Sequence, residues 1–246
     1  MANGVLNLFS KEFRTFFNTP TGYIVLSIFF VGAGLFLWIF PGEYNVLNSG
    51  YANLDGFFML APWLFLFLCP AVTMRAIAEE RQIGTLELLL TKPISKMQLV
   101  AGKFLAAWAV IVVALLPAVV WFGSVYIMAE PMGNVDAGAF WGSFVGLLLL
   151  AAVYCAIGIF GSSLTSSQIT AFVVSALICF VLFYGFELAA ALFTDGTLTL
   201  YLKNLGIHAH YTSMSRGVLD SRDVLYMLSV TLIFLIATKM SLNRSK

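Results

Sequence analysis

Hydrophobic residues in this chain gather in long uninterrupted runs. The runs fall near residues 21–40, 57–76, 100–128, 140–161, 169–193 and 224–239, the last being the shortest. A membrane-spanning helix needs roughly 17–25 apolar residues. Within a bilayer every backbone polar group must be satisfied inside the segment, and no run shows the alternation of a barrel strand. The pattern predicts an all-α polytopic membrane protein with six transmembrane helices in one domain over residues 1–246.

A different periodicity precedes the first run. Asn3, Asn7, Ser10, Lys11 and Arg14 share one helical face, and Leu6, Phe9, Phe13, Phe16 and Phe17 share the opposite one. This predicts an amphipathic helix over 1–19 lying in the membrane plane. Thr19-Pro20 reads as a cap with proline at the first helical position, starting the first span. That span is too long for a signal-peptide core and no small-x-small site precedes the next polar turn, so it is expected to be retained. Pro62, Pro70 and Pro117 lie inside spans, where each removes a backbone donor and bends its helix.

Composition agrees. Hydrophobic residues make up 61% of the chain and charged residues 10%, against about a quarter charged in soluble domains. So few charges cannot cover a globular surface in water. The net charge of +1 gives no basic balance for nucleic acid. Placement of the 13 Lys and Arg residues says more: with both termini on one side, 10 fall on that side and 3 on the other. The asymmetry puts both termini in the cytoplasm of a bacterial inner-membrane protein. Trp38, Tyr44, Trp121, Tyr126, Phe140 and Trp141 cluster at the predicted outer ends, as headgroup-level anchors do. Cys69, Cys155 and Cys179 sit inside apolar runs and read as small buried residues.

The second connection, Glu79 to Lys103, is the one substantial loop on the basic side. Gly84-Thr85 breaks the preceding helix and can cap a new one, with Glu87 in its first turn. Leu86, Leu89 and Leu90 share a face, Lys92 lies in the last turn and Pro93 ends the helix. Ser95-x-x-Gln98 is a capping box for the next long helix. A short helix bracketed by charges has two uses here. It rests on lipid, or it docks into a cytoplasmic partner.

Glu79, Glu80, Arg81, Gly84, Thr85, Glu87, Leu88, Leu89, Pro93, Ile94, Ser95, Gly102 and Lys103 together resemble the loop of type-2 ABC-transporter permeases. The segment His210-Tyr211 to Tyr226 is similar to the external re-entrant region of that family. Leu60–Arg75 and Ala156–Phe172 look like the gliding-motility-associated F-subunit permeases of Bacteroidota. The resemblance covers essentially the whole chain. It implies that Glu79, Glu80, Arg81, Gly84, Thr85, Leu86, Glu87, Leu88, Leu89, Leu90 and Pro93 form or flank a coupling helix seated in an ABC ATP-binding subunit. It also implies a second permease, as a homodimer or with a related G-type subunit. No G-x-x-x-x-G-K-[ST] motif occurs, since Phe104 follows Gly102-Lys103. The expected arrangement has ATP and Mg on the partner subunit and no cofactor on this chain.

Glu187 is an acid inside the fifth apolar run; it is either functional or close enough to the interface to reach water. His208-Ala209-His210 has poor metal-ligand spacing and no accompanying acid or cysteine cluster, so no metal site is expected. Glu187, His210 and Arg216 are the candidates for a pathway or external gate. Gly142, Gly146, Gly158 and Gly161 allow close helix approach, within the chain or across a dimer face. The rival readings are an ion-coupled secondary transporter and an intramembrane enzyme, each acting without an ATPase. No H-E-x-x-H or G-x-S-x-G occurs, so a non-catalytic subunit is expected.

Overall fold

The computed structural model describes residues 2–90, 94–193 and 196–244. Among these the chain is helical, without strands. Helix α1 is Ala2–Asn18, α2 Pro20–Trp38, α3 Asp55–Thr73, α4 Arg75–Ile83, α5 Thr85–Leu90, α6 Lys96–Met128, α7 Ala137–Leu164 and α8 Gln168–Phe180. A π-helical turn, Val181–Gly185, joins α8 to α9, Phe186–Ala190. Then come α10, Gly196–Leu205, α11, Ile207–Met214, and α12, Ser221–Arg244. Six stretches are long and apolar enough to cross a membrane: Pro20–Trp38, Asp55–Ile83, Lys96–Met128, Ala137–Leu164, Gln168–Ala190 and Ser221–Asn243. They run alternately up and down, so α1 and the end of α12 meet at the Lys- and Arg-rich end of the bundle.

Helix α7 is the central pillar. In its apolar window 78% of residues are buried, against 22% in the spans from Gln168 and from Ser221. It packs against α3, α4, α6, α8, α11 and α12. Small side chains make this possible. A Cβ on Gly158 would strike Thr73, one on Gly161 would strike Ser175, and one on Gly142 would strike the Gly217 backbone. The glycines anticipated for close approach therefore serve contacts inside the chain. Gly217 itself has φ +83° and leaves no room for a Cβ against Ala139, which seats the end of α11 on α7.

Several expectations are refined. The second span does not stop at residue 76: after a one-residue break at Met74 it continues as α4. Ser162 on α7 serves this break, accepting from the amides of Ile77 and Ala78 at 3.0 Å each and donating to the Met74 carbonyl at 2.9 Å. The first amides of a helix have no partner within it, so a serine from a neighbouring span supplies one. The fifth span runs from Gln168 to Ala190, three residues short of 193, and continues through the π-helical turn with a local change of pitch. The sixth is longer than its apolar run, from Ser221 to Arg244. Thr19 stands at the N-cap of α2 but its hydroxyl donates back to the Phe16 carbonyl.

Helix α1 leaves Leu6, on its predicted apolar face, 61% exposed and buries Leu8. The helix is docked along α6, with Leu8 over Gly102 and Phe13, Phe16 and Phe17 against the main core.

Candidate functional site

The basic end is built around Lys103. It lies two turns into α6, and its side chain is only 2% exposed. Its ammonium donates to Glu80 Oε1 on α4 at 2.7 Å and to Glu12 Oε1 on α1 at 3.1 Å. A lysine this deep is tolerated because it is paired and hydrogen-bonded. Three helices distant in sequence are thereby tied at one atom. The capping box at Ser95 and Gln98 starts α6 as anticipated, with both reciprocal bonds present. Lys96 reaches across to the Leu242 carbonyl at 3.0 Å, joining the end of α12 to the same end of the bundle.

Helix α5 hangs from this frame. Gly84 ends α4 with φ +78°, a conformation glycine adopts without penalty. Thr85 begins α5, and its hydroxyl donates back to the Glu80 carbonyl. Leu86 is buried in a cluster with Leu8, Ile77, Leu99 and Val100, and Leu89 packs at its edge. Glu87 and Ile83 are exposed. The helix therefore has one anchored face and one presented face. Pro93 and the side chains of Leu88 and Leu90 lie outside the described residues. Glu80, grouped with the loop by its motif, is turned inward onto Lys103, and Glu79 and Arg81 are half-buried on α4.

The opposite end carries two weaker polar groups. Glu187 on α9 pairs with Lys203 on α10 at 3.6 Å and with His208 Nδ1 on α11. The His208 ring stands edge-on to Phe183 and Tyr184 of the π-helical turn. His210 stacks on Tyr226 with ring centres 3.9 Å apart. Its Nδ1 lies 2.7 Å from Asp223 Oδ1 and its Nε2 2.9 Å from the Asn204 carbonyl. Both neighbours of the ring are oxygens. Arg216 is not part of these groups. It is exposed at the rim of a cavity of about 440 Å³ that also holds Asp55 and Asp136. The three candidates for a pathway or gate thus occupy three separate settings. Tyr211 bolts α11 to α3 by donating to the Phe58 carbonyl at 2.6 Å. Among the described residues no group of acids, histidines or cysteines is arranged to hold a metal ion.

Glu12, Ser162 and Lys203 are not among the sequence candidates, and Asp223 enters there only as part of the segment that resembles the external re-entrant region. Each acts through a residue in another helix, and local spacing does not reveal such a partner.

Curated proteins yield no match to this chain. The profile of the family described as "ABC-2 family transporter protein" matches residues 6–246. The match takes in all but the first five residues and every membrane-spanning helix, so the chain belongs to the ABC-2 transporter family and is the multi-pass permease component of an ABC transporter.

Proposed function

We propose that α5 is the element through which a separate ATP-binding subunit drives this permease. ATP and Mg reside on that subunit. The Lys/Arg-rich end, with both termini, faces the cytoplasm from the bacterial inner membrane. The permease pairs with a second one, either a copy of itself or a related G-type subunit, and the work is export or a conformational relay. The resemblance of Leu60–Arg75 and Ala156–Phe172 to gliding-motility permeases favours a role in gliding.

The observation that carries the reading is the anchoring of α5. Leu86 is locked into the cluster beneath α1 and α6, and Glu87 points outward. A push on the outer face reaches Glu80 through the Thr85 contact, and from Glu80 it reaches Lys103, α6 and α1. A helix merely resting on lipid would turn its leucines to the bilayer and needs no such connection.

Co-purification tests it. The tagged chain is co-expressed with a candidate ATP-binding subunit, and wild type is compared with a Thr85→Ala/Glu87→Lys/Leu89→Ala variant. Retention by wild type and loss by the variant supports the reading. Absence of any retained ATPase in every nucleotide state overturns it and returns the ion-coupled carrier and the membrane enzyme.

A further inference from the structure

Both histidines of the chain lie on α11. Each meets a carboxylate on a different neighbour. His208 meets Glu187 on α9, and His210 meets Asp223 in the first turn of α12. The two settings differ. His208 and Glu187 are each about a third exposed and share their site with Lys203. His210 and Asp223 are only 19% and 12% exposed, so water and salt screen this second pair less.

His210 is also a bridge. Its Nδ1 lies 2.7 Å from Asp223 Oδ1, and its Nε2 lies 2.9 Å from the Asn204 carbonyl oxygen. Asn204 and Leu205 are the last residues of α10, and the final carbonyls of a helix have no partner within it. Tyr226, on the same face of α12 as Asp223, lies flat against the His210 ring and donates to the Leu205 carbonyl at 2.6 Å. The start of α12 therefore holds the end of α10, with the His210 ring between them. A carboxylate stands on one side of that ring and the negative end of a helix on the other. An imidazolium has an N–H at each nitrogen and can give one to each oxygen, whereas a neutral ring has a single N–H. The helices the ring joins are not equally fixed. Helix α11 buries Ile207, Tyr211 and Met214, whereas α10 buries no residue, so α10 is the element that can leave.

We propose that His210 is a proton-operated clasp: the protonated ring ties the end of α10 to the first turn of α12, and release of its proton to water frees α10 while α11 stays in place. Helices α7, α10 and α12 and the π-helical turn pack on α11. From α12 the ring is faced by Asp223 and Tyr226, with Arg222 beside Asp223. On α10, Lys203 precedes Asn204 and turns to Glu187 of α9. The π-helical turn offers Tyr184, which faces His208. Helix α7 has no charged residue, and its Tyr154 is fully buried. Asp55, Asp136 and Arg216 lie beyond the other end of α11, at the cavity lined by Thr212 and Ser215. Asp223 is thus the carboxylate that meets His210. The clasp belongs to this chain alone and does not rest on coupling to an ATP-binding subunit.

Hydrogen exchange of the full chain in detergent tests it. Exchange is followed between about pH 5.5 and 8, a range that covers the ordinary titration of imidazole and lies above that of carboxylates. Labelling times are scaled so that intrinsic chemical exchange is equal at every pH. Loss of one charge-assisted hydrogen bond predicts roughly tenfold lower protection at residues 200–206 at the upper end of the range, with α6 and α7 unchanged. His210→Gln cannot take up a proton and should abolish this response. Asp223→Asn keeps the shape, removes the charge and should at least halve the response, so the test survives if His210→Gln fails to fold. His208→Gln should leave the response in place. Equal protection of wild type across the range overturns the proposal, as does a response that survives both His210→Gln and Asp223→Asn. A response lost in His208→Gln and kept in His210→Gln overturns it too, because the proton would then act at the Glu187 pair.

Discussion

At the basic end a lysine only 2% exposed meets two carboxylates at 2.7 and 3.1 Å, whereas at the opposite end Lys203, 44% exposed, meets Glu187 at 3.6 Å. Both sites join helices that are far apart in sequence, yet their energetics differ in kind. Lys103 is out of water and its carboxylates are only 15% and 23% exposed, so the ion pair is strong once formed and costly to break on one side. The Glu187 group is half-solvated, screened and replaceable. The first ties α1, α4 and α6 into one body. The second holds α9, α10 and α11 loosely, next to a π-helical turn that already departs from regular geometry. Under the proposed coupling through α5, the Lys103 group is the part of the basic end that would carry a push on to α1 and α6.

The largest effect should come from Lys103→Met. The change strands Glu12 and Glu80 in a buried site, and about 3–5 kcal/mol of stability should be lost. Adding Glu12→Gln and Glu80→Gln removes the stranded charges and should restore most of the loss. Denaturant unfolding in micelles measures both. A triple variant as unstable as the single one would mean that Lys103 is needed for packing, and the contrast between the two ends would fail.

Next comes Ser162→Ala. It removes the acceptor used by the Ile77 and Ala78 amides at the break in the second span, at a cost of about 1–3 kcal/mol. Hydrogen exchange of the α4 amides locates the effect: protection should fall around residues 75–79 and remain unchanged in α9 to α11. Exchange that rises equally at both ends would contradict the division.

At the opposite end Glu187→Gln should lower stability by only about 0.5–1 kcal/mol. Most of that difference should vanish when salt is raised from about 0.05 to 0.5 M, because exposed pairs are screened. A loss as large as that for Lys103→Met, insensitive to salt, would make Glu187 a buried structural charge and remove the asymmetry.

These residues also mark where sequence stops being informative. The six spans, the capping box at Ser95 and the break at Gly84 could be read directly, because run length, local hydrogen bonding and the left-handed preference of glycine are properties of neighbouring residues. Lys103 was visible as part of a motif, but its partner Glu12 lies 91 positions away and carries no local signal. The serine that serves the Met74 break is 88 positions away. The π-helical turn in the fifth span was hidden for another reason: Val181–Gly185 is as apolar as its flanks, so hydropathy cannot show where the helical pitch changes. In helix α1 the amphipathic period is local and legible, whereas the stripe of Leu8 and Glu12 that docks on α6 depends on Gly102 and Lys103 far along the chain.

The smallest expected effect on stability belongs to Glu87, and it bears most on function. Its side chain is exposed and bonded to nothing described, so Glu87→Gln should leave unfolding unchanged within error. The same substitution should weaken capture of an ATP-binding subunit, since a charge on the presented face of α5 is what a basic groove would recognise. Lys103→Met should behave in the opposite way, retaining the subunit at temperatures where the variant is folded while failing to pass motion to α1 and α6. Measuring ATPase capture and unfolding on both variants separates the docking face from the frame that holds it. If the two variants lose capture in parallel with stability, α5 has no docking role apart from the fold. If Glu87→Gln loses capture at full stability, the presented face of α5 is the contact.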